Sequence, residues 1–189
     1  MKRIILLAVV AIAAHAAYAQ NVQFGVKAGV NLANLNQDPS PDTKSKAGLN
    51  IGALAHIHLN QNWAVQPEAV YSMQGAEYSN GTKIKINYVN IPVLAQYMFA
   101  NGFRLQTGPQ LGILTSSKVQ YGDGGTEVDS DNAYKSTDFA WSFGAGYLTK
   151  SGLGVDARYN LGISDISKTD PADLKNRVWQ FGLFYQFKH

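Results

Sequence analysis

Five charged residues stand where charge is least expected, inside stretches that otherwise alternate polar and apolar. Lys27, Glu68, Arg104, Asp156 and Arg158 all fall on the polar parity of such stretches, with Gln66 two residues before Glu68. Charges on the inner face of a narrow closed sheet either select small ions or close the interior as a plug of ion pairs and hydrogen bonds. The plug is expected, because buried charges need partners and a small barrel encloses little more than side chains. His56 and His58 share the same parity at spacing i, i+2, which could begin a metal site. No cysteine accompanies them and no clear third ligand does, although Glu68 comes from the next strand. They are expected to join the internal polar network, and no metal or cofactor is expected. A lipid-modifying enzyme would need a nucleophile beside a base at the membrane edge. The two histidines are expected near a short turn and Ser142 on a distant strand, so no such spacing can be read and no catalysis is expected. The segment from Lys118 to Asp138 carries Asp123, Glu127, Asp129 and Asp131, but lacks the later Gly and Glu of a calcium loop. It reads as a solvated connection in which Tyr121 and Tyr134 are available for recognition.

The elements that must hold these residues are strands. Val22, Phe24, Val26, Ala28, Val30 and Leu32 alternate with Gln23, Gly25, Lys27, Gly29 and Asn31. The period of two recurs at 49–59, 63–73, 89–99, 103–115, 139–149, 153–163 and 177–187, giving eight strands long enough to cross a bilayer when tilted. Connections near 60–62, 100–102 and 150–152 are very short, whereas those around 35–46, 77–83, 116–138 and 164–175 are long. That alternation predicts an all-β protein, an eight-stranded antiparallel up-and-down transmembrane β-barrel, with short turns and both mature termini on the periplasmic side. Ile84, Ile86 and Tyr88 differ in parity from Val89, Ile91 and Val93. A β-bulge near Tyr88 to Asn90 is the expected repair, with Pro92 adding irregularity and Asn80-Gly81 supplying a tight turn.

Which face meets lipid follows from the residue types. Gly25, Gly29, Gly52, Gly108 and Gly144 crowd the polar face, where small residues make room inside a narrow cylinder. On the apolar face, Trp63, Tyr97, Phe99, Phe103, Tyr147, Tyr185 and Phe187 gather near the short turns, as an interfacial aromatic girdle does. Only 15% of residues are charged, against about 25% in average soluble domains. Residues 1–19 read as a signal peptide, with Lys2-Arg3, an apolar run from Ile4 to Ala14, and Ala17-Tyr18-Ala19 before the cut. The barrel domain then spans 20–189. Losing Lys2 and Arg3 lowers the formal charge from +3 to +1, which excludes a nucleic-acid partner on charge.

The runs Phe24 to Asn34, Gln66 to Ala76, Asn87 to Tyr97, Leu105 to Leu114, Gly152 to Ile166 and Gln180 to Phe187 together resemble the PorT-like outer-membrane β-barrel family. The resemblance implies an eight-stranded barrel in a Gram-negative outer membrane and brings no assigned activity. The chain ends Phe187-Lys188-His189, rather than on the terminal aromatic common in such barrels. The expected role is a non-enzymatic structural or surface-interaction protein. Its partners are outer-membrane lipid and an extracellular or envelope protein met through 35–46, 116–138 and 164–175. A narrow porin or small-solute transporter is the first alternative, and a lipid-modifying enzyme the second.

Overall fold

The computed structural model describes residues 22–36, 43–78, 81–122, 125–168 and 174–187; the expected signal peptide and Asn80 lie outside them. The strands are β1 (Val22–Asn36), β2 (Thr43–His58), β3 (Trp63–Tyr78), β4 (Lys83–Met98), β5 (Phe103–Gln120), β6 (Glu127–Asp129), β7 (Thr137–Leu148), β8 (Leu153–Gly162) and β9 (Lys175–Gln186). All but β6 form one closed antiparallel ring, each pairing with its neighbours in sequence. β1 meets β9 from Gly25↔Gln186 to Asn36↔Lys175. Closure is obligatory in lipid, where nothing else can bond an open strand edge. β6 is a three-residue strand within the third long connection that pairs only with the end of β5.

Alternation puts opposite chemistries on the two faces. Val26, Val30, Leu49, Ile51, Phe181 and Leu183 point outward and are exposed, while Lys27, Asn31, Asn50 and Gln180 on intervening positions are buried. The short turns at one end tighten on Gly102 and Gly152, whose φ values of +93° and +94° favour glycine. Trp63, Phe99, Phe103, Tyr147, Tyr185 and Phe187 are exposed and Tyr97 half-buried around that end. Edge-on contacts link Trp63 to Tyr97, Tyr97 to Phe99 and Tyr185 to Phe187. A second aromatic row escaped the sequence reading. Tyr71, Trp141, Tyr159 and Trp179 stand higher on the outer wall of β3, β7, β8 and β9, and Tyr159 packs on Trp179 at 4.8 Å. Two rows bounding an apolar band are the pattern of a barrel crossing a bilayer.

Three expectations need correction. Much of what reads as long connections is strand: β1 runs on to Asn36, β2 begins at Thr43, and β5 reaches Gln120. The bulge lies on the neighbouring strand. β4 keeps one phase from Lys83 to Gln96, with Ile84, Ile86, Tyr88, Asn90 and Leu94 all buried. The register shift falls where Asn87↔Ser116 gives way to Tyr88↔Leu114, leaving Thr115 as the extra residue on β5. Apolar residues occupy the inward parity of β4 because the barrel interior itself becomes apolar at that end. Finally, Tyr134 is 7% exposed and packed in that interior, whereas Tyr121 is exposed. Pro92 does mark an irregularity, since the β3–β4 ladder is interrupted between Pro67↔Val93 and Val70↔Asn90 without a change of register.

Candidate functional site

The barrel interior is built in layers, each supplied by the inward parity of several strands. At mid-height, Lys27 of β1, Glu68 of β3, and Asp156 and Arg158 of β8 form an ion tetrad. Arg158 grips Glu68 with two parallel bonds, Nη1 to Oε2 at 2.9 Å and Nη2 to Oε1 at 2.8 Å. Lys27 Nζ lies 3.3 Å from Glu68 and 3.2 Å from Asp156. Arg158 also approaches Asp156 at 3.5 Å. Two cations and two carboxylates therefore neutralise one another, with Arg158 1% and Glu68 4% exposed. A planar guanidinium suits this geometry because it meets both carboxylate oxygens at once.

Toward the short turns, Gln66 Nε2 donates to Glu68 at 2.8 Å. That fixes the amide, so its oxygen faces His56 Nδ1 at 3.1 Å, and the ring proton is assigned to Nδ1. His58 stands edge-on to His56 with ring centroids 4.5 Å apart. Gln96 donates to Gln106 at 2.9 Å, and Arg104 reaches Gln96 at 3.4 Å while lying over the Phe184 ring. Thus Lys27, Glu68, Asp156, Arg158 and Gln66 come together directly, His56 and His58 extend them, and Arg104 stands apart from every carboxylate of the tetrad.

On the other side of the tetrad is an amide layer that the sequence reading did not single out. Asn31 donates to Ser72 at 2.9 Å and accepts from Asn50 at 2.8 Å and Gln180 at 3.1 Å. Its signal was present, since all four residues sit on polar parity, but uncharged amides carry no chemistry that marks them out. Ser142 donates to Asn160 at 2.7 Å, in a different layer from His56. Asp138 accepts from Ser164 and Asn176 at 3.0 and 3.1 Å. The long-connection end is closed by apolar side chains: Leu35, Ala76, Ile84, Ile86, Tyr88, Tyr134 and Ile166 form one buried cluster.

Tyr134 and Ile166 come from the third and fourth long connections, which are tied to each other. Lys135 Nζ meets Asp165 Oδ2 at 2.7 Å, and Asp165 Oδ1 accepts the backbone N–H groups of Ser167 and Leu174, both at 3.0 Å. The bond from Lys135 holds the Asp165 carboxyl below the ordinary carboxylate range, with the backbone donors acting in the same direction. A depressed native value means the tie contributes above the unfolded carboxyl's titration and is lost as pH falls through the native one. Acidification through that range, or Asp165→Asn at neutral pH, should lower the protection factors of the Ser167 and Leu174 amides while β9 stays protected. Mass-resolved hydrogen exchange checks this. In the same region Asp131 does not gather other carboxylates; it accepts from the Ser117 backbone and hydroxyl. Among the described residues no group of three side chains is placed to hold a metal ion.

The model of a family described as "Outer membrane protein beta-barrel domain" matches residues 18–168. Among solved structures, Neisserial surface protein A superposes with a TM-score of 0.61 at 15% identity, over 87% of this chain and 97% of that one. Ail, the attachment invasion locus protein of Yersinia pestis, solved in complex with the heparin analogue sucrose octasulfate, gives 0.55 at 17% identity, over 89% and 100%. These likenesses concern the fold. No curated protein matches the chain in sequence.

Proposed function

The chain belongs to the outer membrane protein beta-barrel domain family, and on that footing we propose that it is a non-enzymatic surface-interaction protein. In this reading the closed barrel is an anchor with a filled lumen. Its short turns and termini face the periplasm, and its long connections and strand extensions face outward to meet an extracellular or envelope partner. The observation that carries the proposal is the Glu68–Arg158 pair. A bidentate ion pair from opposite parts of the chain stands across the lumen at mid-height, flanked by Lys27 and Asp156. A path for solute would have to break it. The apolar cluster around Ile86 and Tyr134 closes the outer end a second time.

The narrow-porin alternative makes the opposite electrical prediction. Purified protein in planar bilayers is expected to give negligible conductance, and stable single-channel steps would replace this proposal with a pore. The lipid-modifying alternative gains no support from His56 and Ser142, each bonded to an amide in a different layer. The six motifs from Phe24 to Phe187 favour a PorT-like placement within the family; none of them speaks to a secretion role. Partner capture from intact cells, with sulfated glycans among the probes because Ail is seen with a heparin analogue, tests the recognition half. Capture should fail when 116–138 and 164–175 are replaced by short turns, provided the shortened barrel still inserts.

A further inference from the structure

Arg104 is a buried cation without a counter-ion. It is 5% exposed, and among the described residues no carboxylate lies within ion-pair distance of it. Its one side-chain bond is the 3.4 Å contact with Gln96, its guanidinium rests 5.6 Å from the Phe184 ring centroid, and its Nε has no partner. The inward carboxylates are committed elsewhere. Glu68 and Asp156 are taken by Lys27 and Arg158. Asp138 belongs to the far end of β7, eight residues from the Gly146 that pairs with Arg104, roughly 26 Å of strand at the usual rise.

The same end of the barrel holds further unpaired polar atoms. Gln186 is 2% exposed with both amide atoms unbonded, and His56 is 1% exposed with Nε2 unbonded. Gln186 follows Phe184 by two residues on β9 and so shares its inward face. His56 lies within electrostatic reach of Arg104, with Gln96 beside both. Native proteins rarely leave buried polar groups unmet; other unbonded atoms of the lumen, such as Arg158 Nε and Asn160 Nδ2, belong to residues that make further hydrogen bonds, and an isolated buried charge is the costliest to leave unmet.

We propose that Arg104 anchors a binding site for a small monovalent anion, a halide or a small carboxylate, inside the short-turn mouth of the barrel. Arg104 supplies the charge and Nε–H, and the Gln186 amide supplies a second donor. His56 Nε2 is left as a bare acceptor by the Nδ1–H bond to Gln66, which suits the ion's hydration water rather than the ion. The tetrad stops the anion from going further. This site does not depend on the proposed surface role, since conductance would overturn the plug and leave the anion site to be tested on its own.

The test is thermal unfolding of the detergent-solubilised barrel at fixed pH and ionic strength, exchanging bulky gluconate for chloride or for formate. Wild type should show a Tm rise that saturates with chloride or formate, and 35Cl line broadening that formate competes away. Arg104→Gln keeps an amide beside Gln96 and removes the charge. It should abolish both effects and be no less stable than wild type in gluconate. Lys85→Gln, a surface cation at the other end, should keep both effects. Saturation by chloride alone identifies a halide site, and by formate alone a carboxylate site. No saturable response in wild type, or an undiminished one in Arg104→Gln, overturns the proposal.

Discussion

Glu68→Gln should lower the unfolding free energy by about 3–5 kcal/mol, the usual cost of breaking a buried pair from one side. The substitution keeps the shape and the bond from Gln66, but removes the negative charge that both Arg158 and Lys27 face. Asp156 remains, 3.2 Å from Lys27 and 3.5 Å from Arg158, so the tetrad is left with two cations on one carboxylate. Denaturant titration of the refolded barrel in lipid, followed by tryptophan fluorescence, gives the number. Arg158→Met alone should cost a similar amount, because it strands Glu68 with Lys27 only. The double variant Glu68→Gln with Arg158→Met should lose less than the sum of the two, since it removes the pair together and leaves Lys27 with Asp156. The shortfall is the coupling energy. A loss under about 1 kcal/mol for Glu68→Gln, as at a surface pair, would mean that water already reaches the tetrad. That result would favour the pore over the plug.

Val93→Arg should cost about 2–4 kcal/mol, the range for a cation near the bilayer midplane on the lipid face of such a barrel. Val93 is 44% exposed and sits on β4 midway between the two aromatic rows. Tyr97, paired with Trp63, is four residues to one side, and Val89, paired with Tyr71, is four residues to the other. Depth is the second half of the prediction. Phe99→Arg lies at the short-turn girdle, where the penalty falls to about 0–1 kcal/mol. Folding equilibria in liposomes of defined thickness measure both. Equal costs at the two sites would show that Val93 does not face hydrocarbon. A Val93→Arg variant as stable as wild type in water without detergent would invert the assignment of the faces altogether.

The outward and inward faces were legible in the chain because lipid and a packed interior demand opposite chemistries on alternate residues. Eight such stretches, separated by alternating short and long connections, leave an up-and-down ring as the simple closure. Lys27, Glu68, Gln66, Asp156 and Arg158 could be placed inside by parity alone for the same reason. Parity failed where the interior changed character. Ile84, Ile86 and Tyr88 look like a slipped phase only if every inward position is assumed polar, and the apolar cap that receives them includes Tyr134 and Ile166 from remote connections. No local pattern could announce that cap, and the bulge expected on β4 was found on β5 instead.

What the sequence determined by itself was the side of the sheet on which most strand residues lie, because strand geometry alternates, with Ile84, Ile86 and Tyr88 the exceptions. What only the tertiary structure decided was who meets whom across the lumen. Arg158 finds Glu68 across 90 positions of chain, and Lys27 finds Asp156 across 129. Those meetings depend on strand order, tilt and the register at which β1 closes on β9. The same closure carries Arg104 to the end of the barrel that holds His56 and Gln186 and, among the described residues, away from every carboxylate, so its want of a counter-ion is a property of the closed ring and of no shorter segment.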